Sequence, residues 1–264
     1  MVNLTGTTMI QALRGQTMST TEKIPTPASF VSPKHNHILE ALPTQDYARL
    51  LPDLQPVSMP LRLVLCESGA HMHYIYFPTT SIVSLTYVMK NGATGEIAVI
   101  GNEGLIGISL FMGDDISPNQ SVVQSAGEGY RLHASIVKQE FALGGKLHYL
   151  ALRFTQSLIA QMSQTAVCNR HHTVDQQLCR LLLLSLDRLS TNELVMTQEL
   201  IANMLGVRRE GVTEAASKLQ QDGMITYKRG HIAVVDRTKL EKRVCECYAV
   251  VKNEYDRLLS CPPL

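Results

Sequence analysis

The spacing of apolar residues changes period twice along the chain. Ile38, Leu39, Leu42, Tyr47, Leu50 and Leu51 fit a short amphipathic helix pair broken by Pro43. From Val57 the apolar runs become short and strand-like. They cover 57–65, 74–77, 82–89, 96–100, 121–124 and 130–133, with Gly and Pro between them. Lys90-Asn91-Gly92 has the composition of a hairpin turn. Many short strands with this punctuation predict a β-sandwich or jelly roll over 57–134. From Lys146 the period becomes helical again. Leu147, Leu150, Phe154, Leu158, Met162 and Thr165 fall at three- and four-residue steps, and no Pro or Gly interrupts 146–188. His171-His172-Thr173 marks a break, after which 174–189 opens a new domain with core at 181–184.

The last third holds the most informative stretch. Residues 197–205 and 208–221 read as two helices around Gly206. Thr197 suits the N-cap, Glu199 favours the positive end of the helix dipole, and Gly206 suits a left-handed C-cap. Ala202 is small where crossing helices approach. Ile201, Leu205, Val207, Val212 and Ala215 supply the shared core, with Ala216 and Leu219 on the same side. This order is that of a helix-turn-helix. Residues 224–228 and 231–235 then read as a β-hairpin about Arg229-Gly230, which makes the unit a winged helix. The fold class expected is therefore α+β. An N-terminal double-stranded β-helix (jelly roll) precedes a long dimerisation helix and a C-terminal winged helix-turn-helix. The expected divisions are a flexible tail at 1–34, a β-roll domain at 35–145, the dimerisation helix at 146–172 and the winged-helix domain at 173–264.

Composition adds limits. The chain has 264 residues, 45% of them hydrophobic, which is enough for ordinary cores. No apolar run reaches the roughly 18 residues of a membrane span, and no signal peptide is evident. Six scattered cysteines do not make a disulfide framework, so a reducing, cytoplasmic setting is expected. Net charge is only +1, yet nine cations and five anions between Arg208 and Arg243 give that segment +4. Phosphates attract such a patch through counterion release.

The β-roll, long helix and winged helix, in that order, resemble the Crp/Fnr family of bacterial transcription regulators. The resemblance covers about residues 36–250. It rests on Tyr76-Phe77-Pro78, on Gly101-Asn102-Glu103-Gly104 with Gly107, on Cys168-Asn169-Arg170, and above all on Thr197-Gln198-Glu199 through Gly206-Val207-Arg208-Arg209. It implies an effector domain, a homodimer on a two-fold symmetric double-stranded DNA operator, and RNA polymerase as a further partner. The chain is expected not to be an enzyme. The DNA-binding residues expected are Thr197, Gln198, Arg208, Arg209, Glu210, Thr213, Lys228, Arg229 and His231. The dimerisation stripe expected is Leu147, Leu150, Phe154, Leu158, Met162 and Thr165.

Departures from the family matter as much. Cyclic-nucleotide-binding members present a Gly-Glu pair to the ribose and an Arg to the phosphate. Here Ile108 replaces the carboxylate, and no Arg occurs in 117–125. A buried cyclic phosphate without a cation is poorly compensated, so no ordinary cyclic-AMP response is expected. No Cys precedes Cys66, which argues against an N-terminal iron–sulfur sensor. No cofactor is expected and the effector is unidentified. Glu214 stands where an Arg is common in the family; it either accepts from a cytosine amino group or turns onto Lys218.

Other candidate chemistry is weaker. His71-Met72-His73 would suit a cupin-like metal- or small-molecule-binding enzyme with a helical tail, the alternative reading. No Glu occurs between Glu67 and Glu96 to complete such a site, so surface histidines are expected. Asp114-Asp115 reads as a solvated loop. Cys245-Glu246-Cys247 is placed on a C-terminal helix, where the two thiols point about 200° apart and do not share an ion. Cys168 and Cys179 read as buried small hydrophobes. No metal ligand set is expected.

Overall fold

The computed structural model describes residues 30–90, 92, 94–189 and 191–259. The chain divides into two compact units at Phe30/Val31, and all the helices and strands of the described residues lie in the second. Of the tail expected over 1–34, residues 1–29 lie outside the described part. Residues 31–34 do not behave as a tail. Val31 N–H donates to Glu128, and the Tyr130 hydroxyl donates to the Val31 carbonyl.

Helices α1 (His37–Glu40) and α2 (Thr44–Leu50) come first, with Asn36 capping α1 and Pro43 at the N-cap of α2. The strands follow: β1 (Gln55–Met59), β2 (Val64–Cys66), β3 (Tyr74–Pro78), β4 (Ile82–Val88) and β5 (Thr94–Ile100). After the short α3 (Ser109–Met112) come β6 (Gln120–Ser125) and β7 (Gly127–His133). They form two antiparallel sheets, ordered β1-β7-β3 and β2-β6-β4-β5. The chain order and the strand order differ because partners return from far along the chain, the mark of a jelly roll rather than a meander. The expected run 57–65 is in fact two strands. Arg62, at φ 68°, turns the chain between them.

Helices α4 (Ala134–Leu143) and α5 (Lys146–His171) lead out of the roll, joined at Gly144 in the left-handed conformation. α5 ends where His172 turns extended, and Thr173 opens α6 (Val174–Leu186) with a capping box to Gln176. Strand β8 (Glu193–Val195), α7 (Gln198–Leu205), α8 (Arg209–Gln221), β9 (Ile225–Lys228) and β10 (His231–Val234) complete the winged helix. Its sheet is ordered β8-β10-β9, and β8 is the strand that the apolar pattern did not show. The chain closes with α9 (Arg237–Arg243) and α10 (Cys247–Leu259).

One core runs through the winged helix and into the roll. Ile82 and Val99 of the sheet pack in the same buried cluster as Leu182, Ile201, Val212 and Leu219. The Gly101-Asn102-Glu103-Gly104 turn is a packing joint. A Cβ at Gly104 would lie 2.1 Å from the Phe154 ring, and one at Gly101 would lie 2.8 Å from Arg188 Cβ. Helix α10 lies along α5, where Arg153 bonds the Leu258 and Arg257 carbonyls.

The residues of the expected dimer stripe have partners within the chain. Leu147, Leu150, Phe154 and Leu158 are all buried within the single chain. Leu150 faces Tyr255 and Leu259 of α10, and Leu158 faces Ile100 and Leu105 of the roll. Met162 is half-buried beside Leu158, and Thr165 accepts from Arg180 at 2.6 Å. The stripe covers its own chain because two apolar surfaces, the roll and α10, flank it.

Candidate nucleic-acid interface

Each expected contact residue is placed by a local cause. The Thr197 hydroxyl accepts from Leu200 N–H at 3.2 Å and caps α7, while Gly206 at φ 65° ends it. Arg208 is the N-cap residue of α8, so Arg209, Glu210 and Thr213 occupy the first turns of that helix. All of Arg208, Arg209, Glu210 and Thr213 are solvent-accessible, while Val212, Ala215, Ala216 and Leu219 are buried on the opposite face. The Thr213 hydroxyl lies 2.8 Å from Gln198 Oε1 and 3.0 Å from the Arg209 carbonyl. This contact fixes the two helices relative to one another at their exposed corner.

The wing is built as tightly. Arg229 and Gly230 both take positive φ, 52° and 84°, between the paired residues Lys228 and His231. Two such residues make the turn type whose twist suits a hairpin. Arg229 bears a conformational cost there that Gly230 does not. The Tyr227 hydroxyl donates to the Met196 carbonyl at 2.8 Å, and Met196 N–H donates to the Gly230 carbonyl at 2.8 Å. Thr197, Gln198, Arg209, Tyr227, Arg229 and Gly230 therefore line one groove. Lys228 and His231 are exposed at its edge.

The +4 excess is not spread evenly. Arg237 pairs with Asp187 and Glu241, Arg243 with Asp175 and Asp222, Lys239 with Asp236, and Lys218 with Glu214 at 2.9 Å. The last pair shows which way Glu214 turns: onto Lys218, whose ammonium pKa it raises by hydrogen bonding. Among the described residues, Arg208, Arg209, Lys228 and Arg229 make no salt bridge. Together with Lys242 on α9, the cations at the α8 start and wing tip are thus the ones left available to an anionic ligand.

Residues 176–243 match the model of the Crp-like helix-turn-helix domain. This segment, which holds α7, α8 and the wing, is similar to a Crp-like helix-turn-helix domain. Over 73–80% of its length the chain shares the fold of solved Crp/Fnr transcription regulators. One is FixK2 from Bradyrhizobium japonicum, with a TM-score of 0.61 at 14% identity over 73% of this chain and 98% of that one. Another, a putative Crp/Fnr-family regulator from Eubacterium rectale, has a TM-score of 0.61 at 16% identity over 80% and 98%. A third is the c-di-GMP-responsive global regulator CLP of Xanthomonas campestris, at 0.57 and 15% identity over 73% and 99%. No curated protein matches the chain. The matched segment resembles a Crp-like helix-turn-helix domain, and the fold is that of these solved Crp/Fnr regulators.

Elsewhere the sites read from the sequence resolve differently. His71 and His73 are exposed, and His71 pairs with Asp115 at 2.7 Å. That contact holds the Asp115 carboxyl below its usual range. Gly107 and Ile108, with Pro118, Asn119 and Ser121, line a cavity of about 50 Å³ whose walls carry no charged side chain. Its walls therefore offer no cation to a cyclic phosphate. The expectation for Cys245 and Cys247 needs correction. Cys245 lies in the turn after α9 and Cys247 begins α10, so the helical 200° does not apply. Their thiols converge with Cys168 and His172. The legible signal is the spacing Cys168-x3-His172 at the C-terminal end of α5.

Among the described residues no helix is long and apolar enough to cross a membrane.

Proposed function

We propose that the chain is a homodimeric, sequence-specific transcription regulator that binds a two-fold symmetric operator under control of a signal received by the β-roll. The observation that carries this reading is the groove of Thr197, Gln198, Arg209 and Arg229, where the α8 start and the wing tip present four cations without salt bridges among the described residues. Arg209, Glu210 and Thr213 face base edges from the first turns of α8, the usual reading position of a second helix. Arg208, Lys228, Arg229 and His231 contact phosphate. Thr197 and Gln198 position the backbone at the start of α7.

The dimer seam we assign is a different face of α5 from the apolar stripe. Leu152, Gln156, Ile159, Ser163, Ala166 and Arg170 follow one another at alternating steps of four and three. Leu152 and Ile159 are 45% and 54% exposed, with Val167 beside them at 47%. Such a heptad suits a second copy of the same helix. The two-fold axis then repeats α8 at a second half-site, and RNA polymerase is the partner through which a bound dimer acts.

We infer that the signal is not cyclic AMP, because the cavity lined by Gly107 and Ile108 carries no charged side chain to meet its phosphate. A larger cavity, of about 220 Å³, lies between the β4-β5-β6 face and α7, with Glu96, Gln124, Leu200 and Met204 on its walls. Thr197 borders both this cavity and the DNA groove, so a change at the sheet reaches the reading head directly.

Binding-site selection on random duplex DNA tests the reading. The expected result is enrichment of an inverted repeat with half-sites about one helical turn apart. Recovery of unenriched sequence, with binding that depends on salt alone, refutes it.

A further inference from the structure

Cys168, His172, Cys245 and Cys247 bring one ligand atom each to within 4.8 Å of all the others. The three cysteines are buried in a small cluster of their own, apart from the main core. Cys168 Sγ and Cys245 Sγ are 3.6 Å apart, and Cys247 Sγ is 3.4 Å from His172 Nδ1. We propose that these four residues form a tetrahedral zinc site that ties the end of α5 to the α9–α10 junction.

Distances choose the metal. Four ligands at about 2.3 Å from a central ion stand about 3.8 Å apart, close to the spacing observed. Iron–sulfur clusters hold their cysteine sulfurs farther apart, because inorganic sulfide and more than one iron lie between them. A disulfide needs sulfurs at about 2.05 Å and would leave Cys247 and His172 unexplained. Three thiolates and one imidazole are a common closed set for zinc.

The surroundings fit the same ion. His172 Nε2 faces Glu246 Oε2 at 3.3 Å, so a carboxylate orients the ring with Nδ1 directed at the metal. Gln164 Nε2 donates to Cys247 Sγ at 3.1 Å, a hydrogen bond that a thiolate accepts well. Cys247 sits in the first turn of α10, where the helix dipole favours negative charge. Arg180 is 6% exposed beside Cys168, makes no salt bridge among the described residues, and has an Nε without a hydrogen-bond partner. A buried cation calls for an anion. Zinc at +2 with three thiolates leaves the site at −1, which Arg180 offsets. Binding forms three metal–thiolate bonds and one metal–imidazole bond and releases up to three thiol protons.

The site spans the break at His172, where α5 gives way to the DNA-binding domain. Bound zinc fixes the angle at which that domain leaves the long helix, and its loss frees both ends.

The full chain, purified in reductant without chelator, is assayed for metal by mass spectrometry. The chelator-treated chain is then titrated with cobalt(II). The expected results are one zinc per chain and an intense thiolate-to-cobalt spectrum of tetrahedral type that added zinc abolishes. Removing the metal should lower the melting temperature by several degrees. C245S and H172A should each weaken cobalt binding at least tenfold, while C66S leaves it unchanged. Should either ligand variant fail to fold, the wild-type cobalt spectrum decides alone. A pale octahedral spectrum, absence of bound metal, or a Cys168–Cys245 disulfide mapped in metal-free wild-type chain overturns the proposal.

Discussion

Arg188 Nε donates to Glu103 Oε1 at 2.6 Å, with both side chains only 7% exposed. The first follows α6, and the second lies in the turn after β5. The pair therefore joins the roll to the helix that opens the DNA-binding domain. Two further hydrogen bonds support it. Glu103 Oε2 accepts from Gly101 N–H at 2.9 Å, and Arg188 Nη1 donates to the Leu184 carbonyl.

Removing one partner of such a pair leaves a buried charge uncompensated, at a cost of about 3–5 kcal/mol. E103Q and R188M should each lose stability of that order in urea denaturation. The E103Q/R188M double variant should lose clearly less than the two singles added together. Strict additivity would mean that the contact contributes nothing as a pair.

Arg209 and Arg229 line the same groove but should fail differently. R209A should cost about 1–3 kcal/mol and relax preference at one base position per half-site. R229A should weaken all sequences alike and lower the salt slope by about one unit. R229N should act on DNA as R229A does while leaving the hairpin intact, because asparagine tolerates the left-handed conformation that Arg229 holds. Gel shifts across a salt series, beside melting curves, separate these outcomes.

Two faces of α5 should answer to opposite measurements. L152D and I159D place charge on the exposed face and should give folded monomers by sedimentation. L150D and L158D bury a carboxylate inside one chain and should unfold it by circular dichroism. If L152D and I159D leave the dimer intact, the seam lies elsewhere.

Glu96 gives the stability a pH dependence. Burial pushes its carboxyl up from 4.5 to about 7, against the opposing hydrogen bond from Ser84 and the charges of Arg180 and Arg188. The folded chain thus holds this proton more tightly than the unfolded one. That contribution is complete below pH 4.5 and is lost as pH rises through about 7. Melting temperatures of E96Q should lack the part of the decline that Glu96 causes in wild type. A parallel decline in both would assign it to other groups.

The apolar spacing alone was sufficient for most of the elements and for the helix-turn-helix. Thr197 caps, Gly206 stops, and Val212, Ala215 and Leu219 face inward, because these are local consequences of φ preference, orphan helix N–H groups and a 3.6-residue period. The sequence by itself also excluded an Arg near the Ile108 cavity. It could not say which side of α5 is left uncovered by its own chain. The stripe at Leu147, Leu150, Phe154 and Leu158 is as apolar as a dimer seam, and only the position of α10 and the roll shows that it is already covered. Nor could it show which cations are committed. Arg237, Arg243 and Lys218 look like Arg209 in a charge count, and most of their carboxylate partners come together through folding. The Cys168, His172, Cys245 and Cys247 cluster depends most on tertiary structure. Its two halves lie more than seventy residues apart in sequence, and the geometry of the second half is that of a turn, which helical periodicity does not describe.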